Sequence, residues 1–300
     1  MPFTRASRRS LIPPGVWANS KRSTAVPHSV GAGSPPRSLN PRPTRRRRGR
    51  GRGAFFFFLI AALGASPASA TTRVETISRV VDGDTVVLES GEIIRLAGIN
   101  TPELAKKDQP DQPLAVEARD ALVDLIGGRS IQIYNAPGHK DRYGRTLAYL
   151  LMPEGDTVQE RLVRMGLASV VVIAPNDLYL AELSQAEDDA RSRRIGIWGL
   201  SYYDTKAAQD TTGGYQFASG QVSRLDLKQD WFSVTIAERL VILIKRVDWQ
   251  DRFPYSVLDL DQARVAVRGW VSAKKNRSTV VVNHPFMIER CDIDPRRLCP

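Results

Sequence analysis

The chain has 300 residues and a formal net charge of +11, with 42% hydrophobic and 25% charged residues. This length exceeds the usual range of a single core, so more than one folded unit is expected. The charge alone would predict a polyanion-binding protein, but residues 1–53 contain 13 of the 43 Lys and Arg residues and no Asp or Glu. The rest of the chain carries a net charge of −2, which excludes a uniformly basic protein.

The N-terminal region has the features of a targeting segment. Residues 1–53 form a basic leader, rich in Pro, Ser and Arg, that is predicted to be disordered. Residues 54–70 supply a short apolar run and an A-x-A end, the order found in secretory signal peptides. We therefore expect cleavage after Ala70 and an exported protein, secreted or periplasmic. The apolar run is shorter than the ~20 residues of a spanning helix, so no permanent membrane anchor is expected.

Residues 71–200 alternate strand and helix signals. The predicted strands are RVETISRVV (73–81), DTVVLES (84–90), EIIRLAGI (92–99), RSIQIYN (129–135) and TLAYLLM (146–152). The first predicted helix begins near Pro113, the second opens at Asp156 with Gln159 as its capping-box partner, and the third begins near Asn176. Five short strands and three helices predict a small closed barrel with helices packed outside it.

A second β-rich module follows the first. Residues 201–216 interrupt the periodicity with Asp, Thr and Gly and are predicted to be a linker. Residues 217–290 contain five more strand-like runs and predict another small OB-like β-barrel. The fold class is therefore mainly β with helices.

Residues 291–300 form a C-terminal loop with the chain's two cysteines. Cys291 and Cys299 close a nine-residue loop, and an even cysteine count in an exported protein favours a disulfide. Two unrelated free thiols are the alternative. No His flanks the cysteines with metal-ligand spacing, which argues against a zinc site.

Carboxylates interrupt the first predicted hairpin. Asp82 and Asp84 are two residues apart at an Asp-Gly turn signal, and a period of two can point both carboxylates the same way. A hard divalent cation such as Ca²⁺ or Mg²⁺ would remove the repulsion between them. A solvated turn is the alternative for an isolated Asp-Gly-Asp sequence.

Two arginines accompany apolar strands. Arg95 lies inside an apolar run, where an unpaired guanidinium is costly to desolvate and needs an anionic partner. Arg145 follows Tyr143 and Gly144 just before another apolar strand. The planar donor fork of arginine matches a phosphate, whereas a salt bridge or a strand-edge position is the structural alternative.

Three segments in order and spacing, VVDGDTVVL (80–88), IRLAGINTPE (94–103) and DRYGRTLAYL (141–150), closely resemble the staphylococcal nuclease, or thermonuclease, family. The resemblance extends over about residues 73–199. It implies an OB-type five-stranded barrel with three helices and a Ca²⁺-dependent phosphodiesterase site. It also implies that Asp84, Asn100 and Thr101 surround the calcium, with Asp82 as an outer-shell carboxylate.

The same resemblance implies the catalytic roles. Glu103 matches the carboxylate that activates or positions the attacking water, and Arg95 and Arg145 match the pair that binds the scissile phosphate. Tyr143 is expected to contact a substrate phosphate. The implied outcome is cleavage at the 5′-oxygen of DNA or RNA, leaving 3′-phosphate ends, and no protein partner is implied.

The chain departs from the family in two places. The family usually has aspartate where this chain has Asn100, so one negative charge is lost and cation affinity should fall. The family also has tyrosines before the last helix, where this chain has Val171, Val172 and Ile173, so base stacking there is lost. A nucleic-acid-binding protein with a weakened or inactive metal site is therefore the alternative function.

The second module is the more basic of the two. Residues 211–290 carry a net charge of +4, against −6 for residues 71–210, so we expect the second module to help hold nucleic acid. Lys274, Lys275 and Arg277 are the predicted phosphate contacts, with a solvated loop as the alternative. Tryptophans in this module, Trp231, Trp249 and Trp270, are expected in its core.

Overall fold

The computed structural model describes residues 72–106, 109–126, 128, 130–293 and 298–299. The predicted leader and signal-peptide region therefore lie outside the described residues. Within the described part of the chain, no helix combines the length and apolar character that crossing a membrane requires.

The first module contains a closed barrel of five strands. Its strands and the short strands beside them are β1 (Thr72–Asp82), β2 (Thr85–Leu88), β3 (Ile93–Leu96), β4 (Ile99–Asn100), β5 (Ser130–Lys140), β6 (Thr146–Leu151) and β7 (Ser169–Val170). The barrel order is β1-β2-β3-β6-β5, with β3 parallel to β6 and β5 closing onto β1. Apolar side chains such as Val86, Ile94 and Ile133 are fully buried inside it. This confirms the predicted OB-type barrel.

Three helices belong to the first module. They are α1 (Ala115–Ile126), α2 (Val158–Arg164) and α3 (Leu180–Ser192). Helix α1 packs on β1, and α2 packs on α3. On α1, Ala118 and Leu122 are buried, as expected from their spacing on one helical face.

The predicted capping box of Asp156 and Gln159 is wrong by one residue. Thr157 is the N-cap of α2, and its hydroxyl accepts a hydrogen bond of 3.0 Å from the backbone N–H of Glu160. The Gln159 side chain is fully buried and accepts a bond of 3.2 Å from the backbone of Leu150 in β6. Gln159 therefore joins α2 to the barrel instead of capping the helix.

The third helix begins later than the sequence suggested. Helix α3 begins at Leu180, whereas the prediction placed its start near Asn176. The Asn176 side chain accepts a hydrogen bond of 2.7 Å from the backbone of Gly138 in β5. This long-range contact holds Asn176 in the loop before the helix.

The second module forms another closed barrel. Its elements are β8 (Lys206–Ala207), β9 (Gly214–Leu227), β10 (Trp231–Ile236), β11 (Leu240–Lys245), α4 (Arg246–Arg252), β12 (Arg264–Lys274), β13 (Arg277–Val281) and β14 (Ile288–Arg290). Strands β9-β10-β11-β13-β12 pair in this order, β11 is parallel to β13, and β12 closes onto β9. This connectivity repeats that of the first barrel. The predicted second OB-like barrel is confirmed.

The tryptophans of the second module differ in burial. Trp249 is buried and stacks on Phe253, with ring centroids 4.0 Å apart, as expected for a core residue. Trp231 is only partly buried. The prediction is wrong for Trp270, which is 38% exposed and contacts the edge of the Tyr215 ring.

A buried ion pair joins the two barrels. Arg268 on β12 and Glu187 on α3 are both fully buried, and the guanidinium lies 2.8 Å from the carboxylate. Arg268 also donates a bond of 2.9 Å to the carbonyl of Val170 in β7, whose own N–H donates to Glu187 at 2.7 Å. One buried charge pair thus fixes α3 and the short strand β7 of the first module to strand β12 of the second barrel.

The segment after β7 also packs on the second barrel. Val171 and Val172 are buried, and the backbone N–H of Val172 lies 3.2 Å from the sulfur of Met287. The backbone N–H of Ala174 donates to the side chain of Asn283 at 3.2 Å. These apolar residues, which depart from the family pattern, therefore have a packing role in this chain.

The C-terminal residues are held against the second module. Cys291 and Cys299 form a disulfide with an S–S distance of 2.08 Å. Leu298 is buried, and its backbone accepts a bond of 2.8 Å from the hydroxyl of Thr205 and donates one of 2.7 Å to Glu289.

Candidate functional site

The turn between β1 and β2 places two carboxylates next to each other. Asp82 ends β1, and its carboxylate accepts a bond of 3.1 Å from the backbone N–H of Asp84. Asp84 is only 5% exposed and accepts bonds from the Thr85 hydroxyl at 3.2 Å and the Thr101 N–H at 3.0 Å. Burial and the neighbouring Asp84 carboxylate raise the pKa of Asp82 to about 6.

Gly83 allows this turn to pack tightly. A Cβ atom at this position would lie 2.8 Å from the Cβ of Ala118 and 2.8 Å from the hydroxyl oxygen of Thr101. Both distances are shorter than normal contacts, so a larger residue would displace Thr101 from Asp84. Glycine is required because the turn, helix α1 and Thr101 meet at this point.

Arg95 is buried and pairs with the carboxylate of Asp84. It lies opposite Thr85 in the β2–β3 pairing and is 9% exposed. Its guanidinium lies 2.9 Å from Asp84 and donates to the backbone carbonyls of Leu96 at 2.5 Å and Ile99 at 3.0 Å. Asp84 thus supplies the anionic partner that the apolar surroundings of Arg95 require.

The pairing of β4 with β7 positions Asn100 and Thr101. Asn100 lies opposite Ser169, and its side-chain oxygen accepts a bond of 3.4 Å from Arg95. Its amide nitrogen donates to the carbonyl of Thr101 at 3.2 Å. Asn100 and Thr101 are therefore held beside Asp84 by backbone pairing and by the same arginine.

The oxygen atoms at this turn suit a hard cation. Two carboxylates, Asp82 and Asp84, lie beside the amide oxygen of Asn100 and the oxygens of Thr101, and oxygen donors of these kinds are the ligands of Ca²⁺ and Mg²⁺. No cluster of three or more His, Cys, Asp or Glu side chains suited to a metal occurs among the described residues. The residues fit a cation held by few charged ligands. The raised pKa of Asp82 comes first from burial and second from the Asp84 carboxylate, and a cation would relieve the repulsion between the two carboxylates.

Arg145 reaches the same network from the turn between β5 and β6. Its guanidinium donates to Asp141 at 2.7 Å and to the hydroxyl of Thr85 at 3.5 Å, and Thr85 in turn bonds Asp84. Tyr143 is 68% exposed, and its ring lies 5.6 Å from the Arg145 guanidinium. Arg145 keeps a partly exposed side chain, so it can face a ligand in solvent.

Asp141 is a positioning residue that the sequence reasoning missed. Its carboxylate accepts bonds from the backbone N–H groups of Tyr143 at 2.9 Å and Arg145 at 3.0 Å, besides the Arg145 side chain. Burial opposes ionisation, but these hydrogen bonds lower the pKa of Asp141. The signal was present as an aspartate at the start of a glycine-containing turn.

Glu103 lies at the edge of the site, in the loop before α1. Its side chain is 43% exposed and contacts the ammonium group of Lys106 at 2.5 Å, and its backbone N–H donates to the side chain of Gln112 at 3.0 Å. The hydrogen bond to Glu103 raises the pKa of Lys106. Lys106 is a second residue that the sequence reasoning did not consider, although its spacing of three from Glu103 permits the contact.

The structure brings together most of the predicted site residues. Asp82, Asp84, Arg95, Asn100, Thr101 and Arg145 belong to one hydrogen-bonded network. Tyr143 adjoins it through Arg145. The basic residues of the second module are elsewhere: Lys274 and Arg277 pair across the β12–β13 hairpin, and both are exposed with Lys275 between them.

An OB-type barrel with paired carboxylates and two arginines at one edge is the arrangement expected of a phosphodiesterase. The sequence model of the family described as Staphylococcal nuclease homologue matches residues 93–199. The thermonuclease of Staphylococcus hyicus is 31% identical over 137 residues, which are 45% of this chain and 80% of that protein. The chain therefore belongs to the staphylococcal nuclease family.

Two other relatives agree with this assignment. The thermonuclease of Staphylococcus intermedius is 32% identical over 41% of this chain and 74% of that protein. Endonuclease YncB of Bacillus subtilis (strain 168) is 34% identical over 43% of this chain and 64% of that protein. These alignments cover less than half of this chain.

Proposed function

We propose that the protein is a metal-dependent nuclease that hydrolyses phosphodiester bonds of DNA, RNA or both. Membership of the staphylococcal nuclease family supports a hydrolase acting on phosphodiesters. The observation that carries the proposal is the single network in which Asp84 contacts Arg95 and, through Thr85, Arg145. Positive and negative groups at one edge can hold a cation and a phosphate side by side.

The residues have distinct proposed roles. Asp84, Asn100 and Thr101, with Asp82 behind them, would hold a Ca²⁺-like cation, which when bound would polarise a phosphoryl oxygen and orient water. Arg145 faces solvent and stabilises the charge that develops on the phosphate oxygens. Cleavage at the 5′-oxygen, leaving 3′-phosphate ends, is part of this proposal.

Arg95 and Glu103 complete the chemistry. Arg95 donates two hydrogen bonds to backbone carbonyls. These bonds fix the plane of the guanidinium and keep its remaining donors beside Asp84. Glu103 is the proposed base for the attacking water, because its carboxylate is exposed and its bond to Lys106 joins two solvent-exposed side chains. Water or substrate can displace such an ion pair at small cost.

The enzyme assay that tests the proposal is degradation of DNA and of RNA by the purified protein. We expect degradation with calcium and none after addition of a chelator. Activity that survives the chelator would contradict metal dependence. Binding of nucleic acid without degradation under any divalent cation would favour the alternative, a binding protein with a weakened metal site, for which the neutral Asn100 is the supporting observation.

Asn100→Asp should tighten calcium binding about 10-fold or more, because it adds a negative charge beside Asp84 at nearly constant size. The half-saturating metal concentration should fall, with a smaller change in the rate at saturating metal. Calcium titration by calorimetry measures the effect. Asn276→Asp, in the exposed β12–β13 hairpin, adds the same charge away from the site and should leave the affinity unchanged. Equal affinities for wild type and Asn100→Asp would contradict a role of residue 100 in metal binding.

The basic hairpin of the second module is a proposed phosphate contact. Changing Lys274, Lys275 and Arg277 together to Gln should weaken binding to long nucleic acid and reduce the slope of log affinity against log salt by about 2 to 3, since each phosphate contact contributes about 0.7–0.9. Anisotropy titrations at several salt concentrations measure the slope. Arg164→Gln, an exposed change on α2, is the single-charge control. An unchanged slope in the triple variant would show that the hairpin does not touch the substrate.

We also propose that the protein is exported. The supporting observation is the order of basic, apolar and small residues in residues 44–70. N-terminal sequencing of protein recovered from the extracellular or periplasmic fraction should begin at Thr71. Recovery of an intact N-terminus in the cytosol would contradict export.

A further inference from the structure

A cleft runs from the candidate metal site to the second barrel. Its volume is about 80 Å³, and one end is lined by Asn100, Thr101 and Pro102. The other end is formed by the first residues of the second barrel, 212–217. We call this space the inter-barrel cleft. Thr101 both bonds Asp84 and lines the cleft, so the cleft adjoins residues of the candidate metal site.

The segment that joins the barrels forms one wall of the inter-barrel cleft. Tyr202 is 52% exposed, and its ring is held edge-on against Tyr203 at a centroid distance of 4.8 Å. The Tyr203 hydroxyl donates a bond of 2.6 Å to the carbonyl of Pro113, in the loop before α1. Tyr202 thus presents an aromatic surface on a support that is fixed to the first barrel.

The joining segment also supplies a cation and exposed backbone. Lys206 lines the cleft together with Asp204, and its ammonium group donates to the side chain of Gln216 at 3.3 Å. Gly213 and Gly214 have no side chain to cover the backbone, and a Cβ atom at Gly214 would meet nothing within 4 Å. Phosphate and sugar groups can therefore approach this wall closely.

These features match a single nucleic-acid strand. Proteins bind single strands by combining aromatic side chains, on which bases stack, with positive groups along the backbone. The segment 171–173, adjacent to β7, has no aromatic side chain on which a base could stack, and its two valines are buried. The inter-barrel cleft adjoins the candidate metal site and contains both kinds of group, the exposed ring of Tyr202 and the cation of Lys206.

We propose that the inter-barrel cleft binds the nucleotides on one side of the scissile phosphate, with a base stacked on Tyr202 and a phosphate near Lys206. This inference rests on the proposed nuclease function and assigns part of the substrate site to the joining segment and the second barrel. Binding of these neighbouring nucleotides in the cleft should make the enzyme more active on oligonucleotides than on a single-nucleotide ester.

The decisive variants are Tyr202→Ala and Tyr202→Phe. Tyr202→Ala should raise the KM for a single-stranded oligonucleotide about 5- to 100-fold, the equivalent of one lost stacking contact, whereas Tyr202→Phe keeps the ring and should restore it. Neither variant should change the hydrolysis of a p-nitrophenyl ester of a single nucleotide. Leu258→Ala is the control, because Leu258 is an exposed apolar residue of the second module, 61% exposed, outside the cleft lining.

The outcomes separate this inference from the proposed function. If the wild type hydrolyses the small ester and Tyr202→Ala leaves oligonucleotide KM unchanged, the cleft assignment is wrong while the nuclease stands. If the wild type hydrolyses neither substrate, the nuclease proposal fails, and oligonucleotide binding measured by anisotropy with chelator still tests the cleft. Should Tyr202→Ala fail to fold, Gly213→Leu adds a side chain at another lining position of the cleft, where an added Cβ meets only the backbone of Val271 at 4.0 Å. Unchanged oligonucleotide binding by that variant would also overturn the assignment.

Discussion

Replacing Arg268 by methionine should lower the free energy of unfolding by about 3–5 kcal/mol, because Glu187 would remain buried without its positive partner. Both side chains are fully buried, and the guanidinium contacts the carboxylate at 2.8 Å. Chemical denaturation followed by fluorescence measures the change. The loss should extend to catalysis, since Arg268 also holds Val170, which pairs with Ile99 next to Asn100.

A double-mutant cycle provides the control for this prediction. Glu187→Gln alone should also destabilise, whereas the double variant Glu187→Gln with Arg268→Met should be more stable than the sum of the single effects implies. The coupling energy from this cycle measures the interaction between the two charged side chains. It does not include the packing that is lost when the long Arg268 side chain is replaced. A loss below about 1 kcal/mol for Arg268→Met would show that the pair is not a structural connection between the barrels.

Arg145→Ala should lower kcat about 100- to 1,000-fold while changing the free energy of unfolding little, because a solvent-facing guanidinium acts on charge that develops in the transition state. Its side chain is 29% exposed and reaches the network of Asp84 through Thr85. Turnover at saturating substrate and urea unfolding should be measured on the same preparation.

Arg142→Ala is the matched control for Arg145→Ala. Arg142 is a neighbouring arginine that also lies over the Tyr143 ring, at 4.8 Å, and its described contacts do not include Thr85. It should retain nearly full turnover. A strong shift in urea unfolding for Arg145→Ala, with unchanged turnover per folded molecule, would show that Arg145 is structural.

Local sequence patterns predict the strands. They do not predict which distant residues contact each other. Alternating apolar residues and turn signals predicted both barrels, since these patterns act within one strand or hairpin. The sequence identified Arg95 and Asp84 as site residues, but their contact with each other depends on how β2, β3 and the turn come together. Asp141 was missed because its role is defined by three hydrogen bonds within a loop.

The segment that joins the barrels has a structure that its sequence pattern does not indicate. Residues 201–216 were predicted to be a linker because Asp, Thr and Gly interrupt the hydrophobic pattern. In the structure this region contains short 3-10 helices and β8, and Tyr203 bonds the carbonyl of Pro113, 90 residues earlier. The sequence also does not reveal the buried ion pair of Arg268. A charged residue in a strand usually faces solvent, and the partner of Arg268 lies 81 residues away in the chain.

The burial of Val171 and Val172 has a consequence for any shortened form of this enzyme. Cutting the chain near residue 200 would uncover an apolar strip and the Glu187 carboxylate at the same time. Such a fragment should precipitate or self-associate through the strip. A shortened enzyme that ends near residue 200 would need polar residues in place of Val171 and Val172 and a neutral residue in place of Glu187. The surface that the second barrel covers would therefore have to be redesigned.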